Sequence, residues 1–259
     1  MCIPAGSLSI LYEGDVSMNT IKVDKQGSNV KMIAHRGLSG LERENTCAAF
    51  VAAGNRETYF GIETDVHVTA DGQYVIIHDD NTIRVSGEDW TVEKTTMETL
   101  RKIRLTDIDG KTRRWDLQLP TLKEYIGICK RYNKVAVLEL KNPMEEKHIC
   151  AIMETIKKME YEENVTLISF ALDNLICLRK HYPEQKAQYL LGHWKPEYVD
   201  ILNQYNIDLD IYFKAVTPEV VEQVHAAGKE INCWTVDTPE DAAYMIECGV
   251  DYITSNILE

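Results

Sequence analysis

Glu63 and Asp65 stand two residues apart in the run Gly61-Ile-Glu-Thr-Asp-Val66. On a strand that spacing puts both carboxylates on one side. Two carboxylates side by side repel each other unless something positive lies between them. A third acid, Glu139, ends the apolar run Val135-Ala-Val-Leu-Glu139. Three carboxylates with no cysteine beside them suit one Mg²⁺ or Ca²⁺ better than zinc. The plainer alternative is that Glu63 and Asp65 face solvent, or that one of them caps the next turn. His35 and His78 each end an apolar run, and each adjoins a charged residue, Arg36 and Asp79. In-line displacement at a phosphodiester needs one group to take a proton from the nucleophile and another to give one to the departing alkoxide. Imidazole, with a pKa of about 6.5, can do either near neutral pH. Arg36 and Lys141 are cations suited to phosphate oxygens, Arg being able to bind two at once. Taken singly, a surface ion pair for Arg36 and a solvated loop lysine for Lys141 would be the default readings.

Such side chains need a frame that gathers strand ends. From Val30 onward, short apolar runs alternate with helical patterns. Strands are expected at Val30–Ala34, Glu63–His67 (led in by Phe60-Gly-Ile62), Tyr74–Ile77, Val135–Glu139, Val165–Ile168, Ala187–Leu191, Ile207–Tyr212, Ile231–Val236 and Asp251–Thr254. Only Thr69-Ala-Asp-Gly-Gln73 joins the second to the third. Five residues cannot hold a crossover helix, so that pair reads as an antiparallel hairpin. Eight strands then remain, mostly separated by helices, and this predicts an α/β fold, a closed (β/α)8 TIM barrel. An open doubly wound sheet is the alternative, although G-x-G-x-x-G and the P-loop pattern are both absent. Helices are expected at 45–53 (capped by Asn45 or Thr46), 122–132, 145–159, 174–181, 196–205, 218–227 and 239–248. The polar stretch 80–119, with one helix near Met97–Ile103, reads as an insertion after the hairpin. Residues 1–29 read as an N-terminal extension to a barrel domain at 30–259.

The composition, 44% hydrophobic and 27% charged over 259 residues, is that of a soluble globular protein. The formal net charge of −13 opposes nucleic acid and anionic membranes. No nucleic-acid partner and no stable membrane association are expected, and no hydrophobic loop cluster or cationic patch is evident. No apolar stretch approaches the roughly 18 residues of a membrane span, and no signal peptide is legible. Seven irregularly spaced cysteines without C-x-x-C read as reduced thiols of a cytoplasmic protein. H-E-x-x-H is absent, which disfavours a zinc hydrolase, though His67 and His193 leave room for a transition metal near the barrel mouth.

Ala34-His-Arg-Gly37, Glu44-Asn-Thr46, Gly61-Ile-Glu-Thr-Asp-Val66, His78-Asp79 and Glu139-Leu-Lys141 follow one another in order. Together they resemble the motif set of the glycerophosphodiester phosphodiesterases. Pro120-Thr-Leu122, Ser169-Phe170 and Trp234-Thr-Val236 resemble later segments of that family, so the likeness runs from about Val30 to the C-terminus. The resemblance implies a barrel with its site at the C-terminal face. It implies Glu63, Asp65 and Glu139 as ligands of one divalent metal, Mg²⁺ or Ca²⁺, and His35 and His78 as general acid and base. Arg36 and Lys141 would meet the phosphate, and Glu44 would contact or support the site by hydrogen bonding. Trp234 would offer an apolar wall to the glycerol carbons, ordinary barrel packing being the alternative.

The implied reaction is metal-dependent hydrolysis of a small-molecule glycerophosphodiester to glycerol 3-phosphate and an alcohol. A lysophospholipase D or sphingomyelinase-like activity on the same fold, or a barrel that binds a phosphodiester without cleaving it, are the rival readings. Three places depart from the family pattern. Arg43 replaces a common proline, Ile83-Arg-Val-Ser-Gly87 replaces an Arg-Thr-Thr run, and Thr254-Ser-Asn256 stands where Thr-Asp is common. None of them removes a proposed catalyst or ligand.

Overall fold

The protein is described here by a computed structural model covering residues 19–25 and 27–259. The elements run β1 (Lys31–Ala34), α1 (Cys47–Gly54), β2 (Tyr59–Val68), β3 (Tyr74–Ile76), α2 (Ile83–Ser86), α3 (Met97–Leu100), α4 (Leu122–Tyr132), β4 (Val135–Leu140) and α5 (Glu146–Lys158). They continue with β5 (Val165–Ser169), α6 (Leu172–His181), β6 (Ala187–Leu191), α7 (Tyr198–Tyr205), β7 (Asp208–Tyr212), α8 (Pro218–Ala226), β8 (Ile231–Trp234), α9 (Pro239–Cys248) and β9 (Tyr252–Ser255). The sheet order β1-β9-β8-β7-β6-β5-β4-β2, closed by β1 against β2, is a parallel eight-stranded ring. It is a (β/α)8 TIM barrel. β3 lies outside the ring, antiparallel to β2, as the short Thr69–Gln73 link requires.

Side-chain chemistry at the helix ends sets this alternation. The Thr46, Thr121, Thr217 and Thr238 hydroxyls cap α1, α4, α8 and α9, each accepting a backbone N–H of the first turn. Glu124 completes a capping box with Thr121. α4 and α5 each bury one stripe, Leu122, Tyr125, Ile126 and Cys129 on the first and Ile149, Ile152, Met153 and Ile156 on the second. These stripes face the outer sides of the strands, and the main core lies in that layer. Tyr125 ties the layers together by donating to the Ile62 and Val137 carbonyls at 2.7 and 3.2 Å. Inward-facing residues alternate with outward-facing ones. Ile33, Val137, Ile168, Leu190 and Tyr252 form a separate apolar cluster inside the ring. The parallel register sets Asp65 beside Glu139 and Glu63 beside Val137, so the acids of two strands meet at one height.

Residues 80–119 pack round a core of their own. Val85, Val92, Met97, Leu100, Ile103, Leu105, Leu117 and Leu119 gather on Val75 and Ile77 of the hairpin. Contrary to the expectation of no apolar loop surface, Ile83, Trp90, Ile108 and Trp115 of this segment stand exposed, Trp115 by 84%. Within the N-terminal 29 residues, 21–23 run beside the C-terminus, where Ile21 and Val23 donate to the Ile257 and Glu259 carbonyls at 3.1 and 2.8 Å. Residues 1–18 and 26, with Cys2, lie outside the described residues. The described cysteines are all free, and no described helix is long and apolar enough to cross a membrane.

Candidate active site

A cleft of about 370 Å³, open mouth included, sits at the C-terminal ends of the strands. His35, Arg36, Glu63, Asp65, His78, Glu139 and Trp234 line it, with Ile168, Phe170, Leu190, Asp210 and Thr254. Of the residues singled out from the sequence, Glu44 and Lys141 stand behind that lining, against Arg36 and the acids respectively.

The chain leaves β1 through a sharp turn. Arg36 and Gly37 both have positive φ, +56° and +79°. This turn points the Arg36 N–H at Glu63 Oε2, 2.9 Å away. Only glycine fits the second position, because a Cβ there would lie 2.7 Å from Ala49. Gly37→Ala is therefore expected to cost about 2 kcal/mol or more of stability through strain and overlap. A urea unfolding midpoint equal to that of the wild type would show that the turn relaxes freely.

The three acids are buried, and their ligand oxygens lie within 4.8 Å of one another. Burial, then repulsion from Asp65 and Glu139, pushes Glu63 well above the usual carboxylate range. Burial and the Asp65 charge push Glu139 up to about 8, against the pull of Lys141. Asp65 stays ionised. Burial alone would raise it, but the charges of Arg36, Lys141 and His78 outweigh that and hold it below its ordinary value. Lys141 Nζ lies 2.9 Å from Glu139 and 3.5 Å from Asp65, and Arg36 Nε lies 3.7 Å from Asp65. Three carboxylates thus share two cations, one of which, Arg36, also pairs with Glu44. One divalent ion among hard oxygen donors would let all three ionise, so the donor set fits Mg²⁺ or Ca²⁺.

Each imidazole is oriented through Nδ1, leaving Nε2 to the cleft. His35 Nδ1 is 2.8 Å from Asn256 Oδ1. The Asn256 amide nitrogen in turn donates to Asp237 Oδ2 at 2.6 Å, which fixes the oxygen toward His35. Burial and then the Arg36 charge lower His35 to about 4. His78 Nδ1 is 2.8 Å from Asp79 Oδ1. Burial lowers His78 as well, Arg36 and Lys141 add to that, and Asp65 and Asp79 oppose it.

The Glu44-Asn45-Thr46 segment divides its work. Glu44 is held at both oxygens, by Arg36 at 2.9 Å and by Arg84 at 2.6 and 2.8 Å. Burial would raise its pKa, but those guanidinium contacts bring it down to about 2. Asn45 donates to Asp65 Oδ2 at 2.7 Å and accepts from Thr64, while Thr46 caps α1. Arg43, the departure from proline, bonds the Thr106 and Asp107 carbonyls and so fastens this loop to residues 80–119. Arg84 was not singled out for a role. It links Glu44 to Asp79 and so joins the two histidine-bearing loops. Asn256 and Asp237 were missed as well. Asn256 directly follows β9 and Asp237 lies three residues beyond β8, and that nearness to strand ends was the available signal.

Trp234 packs edge-on to Phe170 and tilted against Tyr212, ring centroids 5.6 Å apart in both pairs. His67 is not at the mouth. It is fully buried, with Nδ1 3.1 Å from Glu93 and Nε2 3.3 Å from the His78 carbonyl. His193 sits near the surface beside the Tyr198 hydroxyl. Among the described residues, the other group with metal-ligand spacing is Glu146, Cys177 and His181, on α5 and α6, where Lys180 already pairs with Glu146.

Residues 35–258 match the model of the glycerophosphoryl diester phosphodiesterase family. A glycerophosphodiester phosphodiesterase of Caldanaerobacter subterraneus subsp. tengcongensis is 31% identical over 233 residues, 87% of this chain and 93% of that protein. Glycerophosphodiester phosphodiesterase 1 of Mus musculus is 28% identical over 299 aligned positions, spanning 100% of this chain and 89% of that protein. Among solved structures, an Oleispira antarctica phosphodiesterase in complex with the product sn-glycerol-3-phosphate superposes with a TM-score of 0.80 at 26% identity, covering 88% of this chain and 93% of that one. The barrel, the strand-end acids and histidines, and a family match over most of the chain agree: this protein belongs to the glycerophosphoryl diester phosphodiesterase family and is a phosphoric diester hydrolase.

Proposed function

We propose that the protein hydrolyses small glycerophosphodiesters to glycerol 3-phosphate and an alcohol, with one divalent ion, Mg²⁺ or Ca²⁺, held by Glu63, Asp65 and Glu139. The observation that carries this reading is the convergence of three buried carboxylates and two imidazoles on one cleft. The glycerol 3-phosphate bound to the Oleispira relative supports the substrate class. The ion, when bound, supplies positive charge to the phosphoryl oxygens as negative charge builds on them. Arg36 adds a guanidinium whose Nε has no hydrogen-bond partner in the protein, and Lys141 adds a second cation.

The surroundings divide the proton transfers. His35 is neutral at neutral pH and pairs with an uncharged amide, so its Nε2 takes the proton from the attacking oxygen. Burial lowers His78 as well, but Asp79 on its Nδ1 and Asp65 oppose that, so of the two rings it is the one assigned to deliver a proton to the departing alcohol. The attacking oxygen is that of water, or the substrate's own 2-hydroxyl with a cyclic phosphate then hydrolysed. The free thiols of the described residues accord with a cytoplasmic setting, which belongs to the same reading.

The test is release of glycerol 3-phosphate from glycerophosphocholine after EDTA treatment, with Mg²⁺ or Ca²⁺ added back. Release restored by either ion is expected. Release unaffected by EDTA would remove the metal from the mechanism, and no release by folded, ion-supplemented protein would remove this substrate. One observation favours a larger diester. Exposed Ile83, Trp90, Ile108 and Trp115 give residues 80–119 an apolar surface suited to lipid. Sedimentation with lysophosphatidylcholine-containing liposomes, together with faster release from that lipid than from glycerophosphocholine, would favour the lipid diester.

A further inference from the structure

A second group of metal-ligating side chains lies on two helices outside the ring, apart from the cleft lining. α5 carries Glu146 and Cys150, and α6 carries Cys177 and His181, each pair four residues apart. That spacing sets two side chains one turn apart on the same face, the way a helix offers two ligands to one ion. α5 and α6 pack against each other, and the two pairs meet there. Ligand atoms of Glu146, Cys177 and His181 lie within 4.8 Å of one another, and His181 Nε2 is 2.8 Å from Glu146 Oε1. Cys150 joins them: after burial and the Glu146 charge, its thiol raises the pKa of Cys177. The Tyr182 hydroxyl donates to the Cys150 carbonyl at 3.4 Å, which ties the end of α6 that bears His181 to the turn that bears Cys150. Lys180 Nζ stands 3.0 Å from Glu146 Oε2.

This donor set differs in kind from the one in the cleft. Three hard carboxylates suit Mg²⁺ or Ca²⁺, whereas two thiols, an imidazole and one carboxylate suit a softer ion that takes four ligands, and zinc is that ion. Ligands of tetrahedral zinc lie about 2.0–2.3 Å from the metal, so donor atoms already within 4.8 Å of one another reach it by small side-chain rotations. We propose that Glu146, Cys150, Cys177 and His181 form a zinc site that clamps α5 to α6, separate from the catalytic ion. Two thiolates and a carboxylate around Zn²⁺ leave one net negative charge, and the Lys180 ammonium beside Glu146 offsets it. Each thiol gives its proton to solvent as it binds. The site touches no reacting group and does not depend on the phosphodiesterase reading.

The experiment is titration of the full chain, reduced with a phosphine, with Co²⁺ as a coloured substitute for zinc. Excess Mg²⁺ is present to occupy the acids of the cleft. A thiolate-to-cobalt charge-transfer band is expected to saturate at one equivalent and to vanish when Zn²⁺ is added. The cleft holds no sulfur, so the band reports the helix site alone. Cys177→Ser should weaken cobalt binding by roughly 10²-fold or more, and Cys150→Ser should do so while lowering the intensity per bound ion. His181→Ala should keep the band's thiolate character and weaken binding to a similar extent. Absence of a charge-transfer band in the wild type would overturn the site, as would a band that survives in the Cys150→Ser/Cys177→Ser double variant, since other cysteines would then carry it. A band and affinity unchanged in Cys150→Ser would remove the fourth ligand and reject the clamp as proposed. Should Cys177→Ser not fold, Cys150→Ser and the exposed His181→Ala carry the test, and wild-type affinity in both rejects the proposal.

Discussion

His35→Ala is expected to lower kcat roughly 10²- to 10⁴-fold while leaving KM within a few-fold of the wild type. In the proposed mechanism the ring contributes its Nε2 to the reacting atoms, and its Nδ1 contact to Asn256 fixes the tautomer that leaves Nε2 free. Loss of Nε2 therefore removes a step, whereas loss of the Asn256 contact only loosens it. Asn256→Ala should cost less, roughly 10-fold in kcat, because the imidazole remains and only its orientation is freed. The same ordering is expected on the other loop, with His78→Ala far below Asp79→Asn, since Asp79 acts through the ring it holds. The double variant His35→Ala/His78→Ala should be little worse than the poorer single one, because groups that act as a unit are not additive. Stopped assays at saturating substrate, with circular dichroism to verify folding, decide the matter. A His35→Ala protein keeping more than about a tenth of wild-type kcat would exclude that histidine from proton transfer.

Metal-free protein is expected to lose thermal stability as pH rises from about 5 to 8, and saturating Mg²⁺ or Ca²⁺ to abolish the loss. Glu139 in the folded state is raised to about 8, and Glu63 is raised also, from an ordinary 4.5. A carboxyl with a raised folded pKa holds a proton that the unfolded chain has already released. Its stabilising effect is complete below the unfolded value and disappears as pH passes through the folded one. One such group changes stability by about 1.4 kcal/mol per pH unit in that window. Over three units this amounts to about 4 kcal/mol, or roughly 10 °C in Tm for a chain of this size. An ion bound by Glu63, Asp65 and Glu139 replaces those protons, so its affinity should climb over the same range and proton release should accompany binding. Groups elsewhere titrate alike with and without the ion, so the difference between the two Tm-against-pH curves isolates the site. Parallel curves would mean that these acids do not hold the ion.

The legibility of this protein divides along physical lines. The barrel could be read from the chain because strand and helix periods are local, and the five-residue Thr69–Gln73 link has one geometric solution. The strand-end acids and histidines were legible because a two-residue spacing fixes a common face before any packing is known. Both were joined to a family by ordered motifs, and the family match bears that likeness out. The conformation of residues 80–119 was not legible, because its core is assembled from residues far apart in the chain and lacks a repeating period. Nor could the sequence say which polar residues act through others. Arg84 joins Glu44 to Asp79 across 40 and 5 positions, and Asn256 meets His35 across 221. Asp208 and Asp210, two apart on β7, share a face as Glu63 and Asp65 do, but nothing local says which way that face turns; ring closure brings Asp210 into the lining of the cleft. The sequence by itself therefore determined the alternation of elements and the chemical groups at the strand ends, since both depend on residues a few positions apart. Tertiary structure alone decided which groups are buried, paired or left without a partner, because burial and long-range contact shift pKa values and orient side chains only once the ring has closed.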